Sequence, residues 1–201
     1  MKHILILFVF ISVVFSALGQ YSVGGGLSFL NPLDFEGTWN PGLNVIGEFP
    51  STENQTFAAK LTIYAPRTTK NGPEIYVPET DEFIQNTIKD NLFSFDGGTR
   101  RYFFNTYDSG ASMYGGVNLK ATINTYRVEN NDPNSSAPDT RGYAILGSVY
   151  GYLGFKYQLP YRSAVFIDAG FDLVAFPVIG SNPSLPGFFF TLNAGYRFDL
   201  F

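Results

Sequence analysis

Apolar and polar residues alternate with a period of two through most of this chain. In the last fourteen residues the apolar or small-apolar side chains take every second position: Phe188, Phe190, Leu192, Ala194, Tyr196, Phe198 and Leu200. Polar or small residues, among them Asn193, Arg197 and Asp199, stand between them. This pattern predicts a β-strand with one apolar and one polar face. Because a strand of about 9–11 tilted residues crosses a bilayer, the segment is typical of a lipid-facing barrel strand.

The same period predicts seven further strands. Six of them are well defined, at 21–30, 43–49, 57–64, 113–124, 142–158 and 165–175. The other strand is 100–107, where the apolar face is either Tyr102 with Phe104 or Phe103 with Tyr107, so its register stays open. Eight strands predict an all-β fold, an eight-stranded antiparallel up-and-down transmembrane β-barrel.

The connections between the predicted strands alternate strictly in length. Four are long and rich in Asn, Pro, Asp and Gly, at 31–40, 66–99, 129–139 and 176–187. Three are short, at 51–55, 108–112 and 160–162. Outer-membrane barrels have tight turns at the periplasmic rim and longer loops at the extracellular rim. The alternation therefore predicts four extracellular loops.

The N-terminal 19 residues read as a secretory signal peptide. Lys2 precedes an apolar run over 4–14, and Ala17 and Gly19 take the −3 and −1 positions of a cleavage site before Gln20. The run is short for a membrane anchor, which needs about 20 apolar residues. No later segment is apolar for long enough to form a transmembrane helix. A membrane protein with this sequence must therefore cross as a barrel, formed by 20–201.

In these features the mature chain resembles the small outer-membrane β-barrels of Gram-negative bacteria, the group that includes the OmpA-type and OmpX-type eight-stranded barrels. The resemblance covers 20–201 and rests on the strand pattern. It implies a cell outer membrane location, contact with outer-membrane lipid, and insertion by the barrel-assembly machinery. The assembly signal of such proteins corresponds here to Tyr196, Phe198, Leu200 and Phe201, of which Phe201 is out of phase with the alternation.

The composition of the chain excludes several kinds of partner and catalytic mechanism. The formal net charge is −4, which argues against a nucleic-acid partner. The chain has no cysteine, and His3, its one histidine, lies in the signal peptide. Mechanisms with a histidine base and Cys/His metal sites are thus closed to the mature protein. We therefore predict a protein that is not an enzyme and has no catalytic residue, cofactor or metal site.

Eight charged residues fall on the predicted inward face. They are Glu48, Lys60, Lys120, Lys156, Asp168, Asp172, Arg197 and Asp199. These four acids and four bases could form an ion path or a salt-bridged plug. We favour the plug, because side chains can fill the interior of an eight-stranded barrel and buried charges persist only when they are paired.

The longest predicted loop, 66–99, contains a helix-like pattern. Pro78 and the acids that follow it precede apolar residues with spacings of four. This predicts an amphipathic helix over 78–92 with an apolar face of Phe83, Ile84, Ile88 and Leu92. The helix could dock a protein partner or cover the barrel mouth, or the loop could pack on its own rim.

Three functions remain open at this stage. The first is a structural or partner-binding surface protein that acts through its extracellular loops. The second is a narrow porin-like channel for small solutes. The third is a soluble lipocalin-like ligand-binding barrel, suggested by a weak match of Gly37-Thr38-Trp39 to the first lipocalin motif.

Overall fold

The computed structural model describes residues 21–33, 39–69, 75–77, 81–84, 86–106, 110–130, 140–179 and 187–200. The predicted signal peptide and Phe201 lie outside these residues. The described residues form strands β1 (Ser22–Asn31), β2 (Asn40–Thr52), β3 (Gln55–Tyr64), β4 (Arg67–Thr69), β5 (Ile75–Val77), β6 (Glu82–Ile84), β7 (Asn86–Phe104), β8 (Ala111–Asn130), β9 (Thr140–Leu159), β10 (Ser163–Ile179) and β11 (Phe188–Asp199). No helix among them is both long and apolar enough to span a membrane.

Eight of these strands close into an antiparallel barrel. Each pairs with its neighbours in the order β3-β2-β1-β11-β10-β9-β8-β7, and β7 closes the ring by pairing with β3. β4 adds a short pairing to β7, and β5 pairs with β6 in a separate small hairpin. The predicted eight-stranded up-and-down barrel is therefore confirmed.

Two tight turns lie at one end of the barrel, at 53–54 and 160–162. Both ends of the barrel sequence meet there too, since Ser22 lies opposite both Glu48 and Asp199. The longer connections lie at the other end. We call these the turn end and the loop end. In outer-membrane barrels they correspond to the periplasmic and extracellular sides.

The predicted helix over 78–92 is wrong. Residues Glu82–Ile84 are strand β6, and from Asn86 onward the chain is strand β7. Of the predicted docking face, Phe83 and Ile84 lie in β6, while Ile88 and Leu92 are buried on the inward face of β7. A spacing of four residues keeps side chains on one face of a strand as well as of a helix, which explains the misassignment.

The predicted loop over 66–99 and the predicted strand over 100–107 need the same correction. The strand begins at Asn86 and ends at Phe104, and Arg67–Thr69 pairs with it. Tyr102 is buried inside the barrel, while Phe103 and, after a register shift between Tyr102 and Phe104, also Phe104 are exposed; Tyr107 lies outside the described residues.

The two faces of the barrel wall differ in polarity, as the alternation predicts. Leu43, Leu119 and Leu153 are 68%, 73% and 67% exposed on the outside. The outward side chains of β11, such as Tyr196 and Phe198, are also exposed. A soluble barrel would hold such side chains in its core, because apolar surface is unfavourable in water. An apolar outer belt of this kind suits the hydrocarbon of a bilayer.

Candidate functional site

The candidate site is the polar interior of the barrel. Seven of the eight predicted inward charges are buried, and Asp199 lies partly exposed at the turn end. The structure adds four charged residues that the sequence analysis missed: Arg67, Asp90, Asp96 and Arg100. Three of them lay in the predicted loop and Arg100 in the strand of open register. Among the described residues, six carboxylates and six basic side chains therefore share the inward face.

Glu48 on β2 is the centre of the cluster nearest the turn end, which we call the Glu48 cluster. Its carboxylate accepts hydrogen bonds from Thr56 Oγ1 at 2.6 Å and from Tyr102 Oη at 2.7 Å. Arg100 Nη1 lies 3.1 Å from Oε2, and Arg197 Nη1 donates to the same oxygen. Two guanidinium groups and two hydroxyls thus surround one buried carboxylate, which satisfies a charge that would otherwise be costly to bury.

Arg100 connects this cluster to a second one around Asp168 on β10. Its Nη2 lies 3.8 Å from Asp168 Oδ2. Asp168 also accepts hydrogen bonds from Tyr114 Oη and Tyr150 Oη, each at 3.2 Å, and from Asn193 Nδ2 at 2.6 Å. These partners come from four different strands, so the network crosses the lumen from wall to wall.

Two lysine–aspartate pairs lie closer to the loop end. Lys120 Nζ is 2.8 Å from Asp172 Oδ2, which also accepts a hydrogen bond from Thr191 at 3.0 Å. Lys60 Nζ is 3.5 Å from Asp96 Oδ2. Both ammonium groups also lie over the ring of Tyr150, at 4.8 Å for Lys60 and 5.5 Å for Lys120 from its centroid.

The remaining inward charges are distributed along the axis. Lys156 lies over the ring of Tyr102, with Nζ 5.4 Å from the centroid. At the turn end Asp199 accepts a hydrogen bond from Gln158 at 2.7 Å. Toward the loop end Arg67 and Asp90 form a buried pair at 2.9 Å. Among the described residues, no group of three or more His, Cys, Asp or Glu side chains could hold a metal ion.

Four tyrosine rings fill the space between the charged groups: Tyr102, Tyr114, Tyr150 and Tyr152. Tyr150 and Tyr152 stack with centroids 4.9 Å apart. The guanidinium of Arg100 lies 4.6 Å from the ring centroid of Tyr114, and its Nε donates to Tyr152 Oη at 3.0 Å. The sequence shows these tyrosines at alternating strand positions, but not that their rings converge.

Glycines on the inward face make room for these rings. A Cβ built on Gly154 would lie 2.4 Å from Tyr114 Cζ, and one on Gly116 would lie 2.5 Å from Tyr152 Cζ. At either distance the tyrosine ring or the strand would have to shift to admit a side chain. The absence of a side chain at Gly154 and Gly116 therefore allows each tyrosine to lie flat across the neighbouring strand.

Gly154→Ala is expected to lower the free energy of unfolding by about 1–3 kcal/mol. Tyr114 cannot retreat easily, because its hydroxyl donates to Asp168 and Arg100 covers its ring. Gly151→Ala on the same strand is the matched control, since nothing lies within 4 Å of its Cβ position, and should change stability by no more than about 0.5 kcal/mol. Urea unfolding in lipid vesicles measures both. Equal effects would show that the ring does not need this space.

An apolar layer covers the charged lumen on its loop-end side. Leu30, Tyr64, Leu92 and Phe189 form a buried cluster, with Val174 packed against it. A cavity with room for about one water molecule lies between this layer and the Lys120–Asp172 pair. The Glu48 cluster, the cluster around Asp168 and the two lysine–aspartate pairs are thus enclosed on that side.

Similar folds occur among solved outer-membrane proteins. Neisserial surface protein A, from Neisseria, superposes with a TM-score of 0.58 at 13% identity, covering 90% of this chain and 99% of that one. A major outer membrane protein of Thermus thermophilus gives 0.58 at 10%, covering 90% and 98%. The N-terminal β-barrel domain of Pseudomonas aeruginosa OprF gives 0.51 at 14%, covering 90% and 96%.

No family model matches the sequence, and no curated protein matches it significantly. At these identities the solved structures establish the fold. The closed antiparallel barrel is that of eight-stranded outer-membrane proteins. Its apolar outer belt is the surface that such barrels present to lipid, so the chain has the fold of the β-barrels of the bacterial outer membrane.

Proposed function

We propose that this protein is a non-enzymatic surface barrel whose lumen is closed by a plug of paired charges, and that it acts as a structural or partner-binding protein through its extracellular side. The observation that carries the proposal is the network around Glu48 and Asp168. Arg100 contacts both carboxylates, and partners from opposite walls complete the coordination of each. Groups that hydrogen-bond across the lumen occupy the space that a solute would need.

The strand lengths support a role at the extracellular side. β7, β8 and β9 contain 19, 20 and 20 residues, while β1, β3 and β11 contain 10, 10 and 12. About 9–11 residues suffice to cross the bilayer. The longer strands therefore extend several residues beyond it at the loop end, where they present a sheet surface to the outside. Binding residues often lie on such surfaces of a rigid scaffold.

The two alternatives fit the geometry less well. A porin-like channel needs a continuous water path, whereas paired charges, tyrosine rings and an apolar layer fill the described lumen. A lipocalin-like barrel binds its ligand inside and faces water outside. Here the polar groups are inside, and apolar side chains such as Leu119 and Leu153 are outside.

Planar-bilayer recording tests the closed lumen. The purified protein is expected to give no reproducible single-channel steps, because moving an ion past Arg100 would require breaking buried ion pairs. A known porin inserted under the same conditions serves as the positive control. Reproducible steps whose size changes in the Asp168→Ala variant would identify the lumen as a conducting path and overturn the proposal.

A further inference from the structure

Three basic side chains lie side by side on the outer face near the loop end. The register places Lys89 of β7 opposite Arg127 of β8, and Arg127 opposite Arg141 of β9. On the other edge of β7, Lys89 lies opposite Thr68 of β4, which is exposed. Side chains directly opposite each other on one face of a sheet have Cβ atoms about 5 Å apart. We call these four residues the basic row.

Among the described residues, the basic row has more positive charge than the acid beside it can balance. Glu129 is its described counter-charge, 2.7 Å from Lys89 Nζ and 3.5 Å from Arg127 Nε. Among the described residues Arg141 has no ion-pair partner. Like charges directly opposite on neighbouring strands destabilise a sheet. The three cations of the row are therefore stabilised by an anion that binds between them.

The height of the basic row suggests which anion that is. On the same outward face, the apolar residues Phe93, Ile123 and Ile145 form the row four positions closer to the turn end. Four residues span about 13 Å along a strand, or about 10 Å along the membrane normal for a typical tilt. Tyr143, exposed between the two rows, is the residue type enriched at membrane interfaces. The cations thus stand beside the headgroups, where long basic side chains can reach them.

We propose that Thr68, Lys89, Arg127 and Arg141 bind the phosphate group of a phosphorylated glycolipid in the outer leaflet of the outer membrane. Arginine pairs with phosphate in a bidentate geometry, and basic clusters at membrane surfaces bind anionic headgroups. The threonine hydroxyl supplies a further donor at one end of the row. The inference rests on the proposed orientation of the barrel and is independent of whether its lumen is closed.

The test compares how much diphosphoryl lipid A the wild-type protein and its variants retain. The proteins are first inserted in phosphatidylcholine vesicles to which this lipid A has been added. The wild-type protein is expected to retain this glycolipid after extraction, as counted by native mass spectrometry. In the double variant Arg127→Gln/Arg141→Gln, affinity is expected to fall at least about tenfold. In phosphatidylcholine alone the same variant should be no less stable than the wild type, because the like-charge contact is gone. Circular dichroism confirms that it is folded.

Arg101→Gln is the matched control. Arg101 is also exposed on β7, but near the turn end, opposite Gln55. This variant should retain lipid A like the wild type, and dephosphorylated lipid A should bind to neither protein. The proposal is overturned if the double variant retains lipid A, or if Arg101→Gln loses it equally. The proposal is also overturned if inorganic phosphate in detergent stabilises the wild-type protein as much as lipid A does, since the site would then take a free anion. Channel recording on the same samples reports on the closed lumen separately.

Discussion

Glu48→Gln is expected to lower the free energy of unfolding by about 3–5 kcal/mol, the usual result of removing one partner from a buried ion pair. The carboxylate is 1% exposed and interacts with Arg100 and Arg197 together. Glutamine keeps the size of the side chain but leaves two buried guanidinium groups without their shared counter-charge. Urea unfolding in phospholipid vesicles, followed by the fluorescence of the single tryptophan Trp39, measures the change.

Two further variants show whether charge pairing is the cause. Glu53→Gln changes an exposed acid in the turn that follows β2, and should alter stability by no more than about 0.5 kcal/mol. Adding Arg197→Gln to Glu48→Gln removes one of the two cations that have lost their shared counter-charge, and should restore part of the lost stability. The interpretation fails if Glu48→Gln behaves like Glu53→Gln, or if the second substitution adds its full cost to the first.

Leu119→Arg is expected to destabilise the barrel in a bilayer by about 2–4 kcal/mol, the cost of an arginine on the lipid face near the membrane midplane. Leu119 is 73% exposed and lies near the middle of the outward row that runs along β8 from Met113 to Ile123. The cost arises because hydrocarbon cannot solvate the guanidinium. The same unfolding experiment in vesicles measures it.

Thr125→Arg is the control for this prediction. Thr125 is exposed on the same face of β8, one outward position beyond Ile123 toward the loop end. An arginine near the interface costs only about 0–1 kcal/mol. A large difference between the two variants would map the edge of the hydrocarbon on this strand. If both were neutral, the apolar outer face would not lie in lipid.

The period of two was sufficient to predict seven of the eight barrel strands, and for β7 it predicted only the segment from residue 100 onward. β11 illustrates this, since its outward Tyr196 and Phe198 and its inward Arg197 have the predicted orientations. The pattern failed where a strand leaves the membrane, because its outward positions then no longer need to be apolar. In β7 the outward Lys89 and Asn91 hid the alternation, and inward Ile88 and Leu92 suggested a helix.

The polar site was predicted only in part, because its residues could be assigned only on strands where the alternation is clear. Glu48, Asp168 and Arg197 were assigned to the inward face because each follows and precedes an apolar position on a clear strand. Asp96 and Arg100 were missed, although the alternation of Phe93 and Phe95 with Ser94 and Asp96 was a usable signal. It was concealed by the two glycines that follow at 97 and 98.

In every barrel strand except β7, the sequence by itself determined which side chains face lipid and which face the lumen, because that choice follows from strand geometry and polarity. Tertiary structure decided which residues meet. Glu48 and Arg197 are 149 positions apart and come together only when β1 pairs with both β2 and β11. The basic row likewise exists only through the register of β7, β8 and β9. Registers depend on the simultaneous fit of all the strands in the closed barrel, and no single segment contains that information.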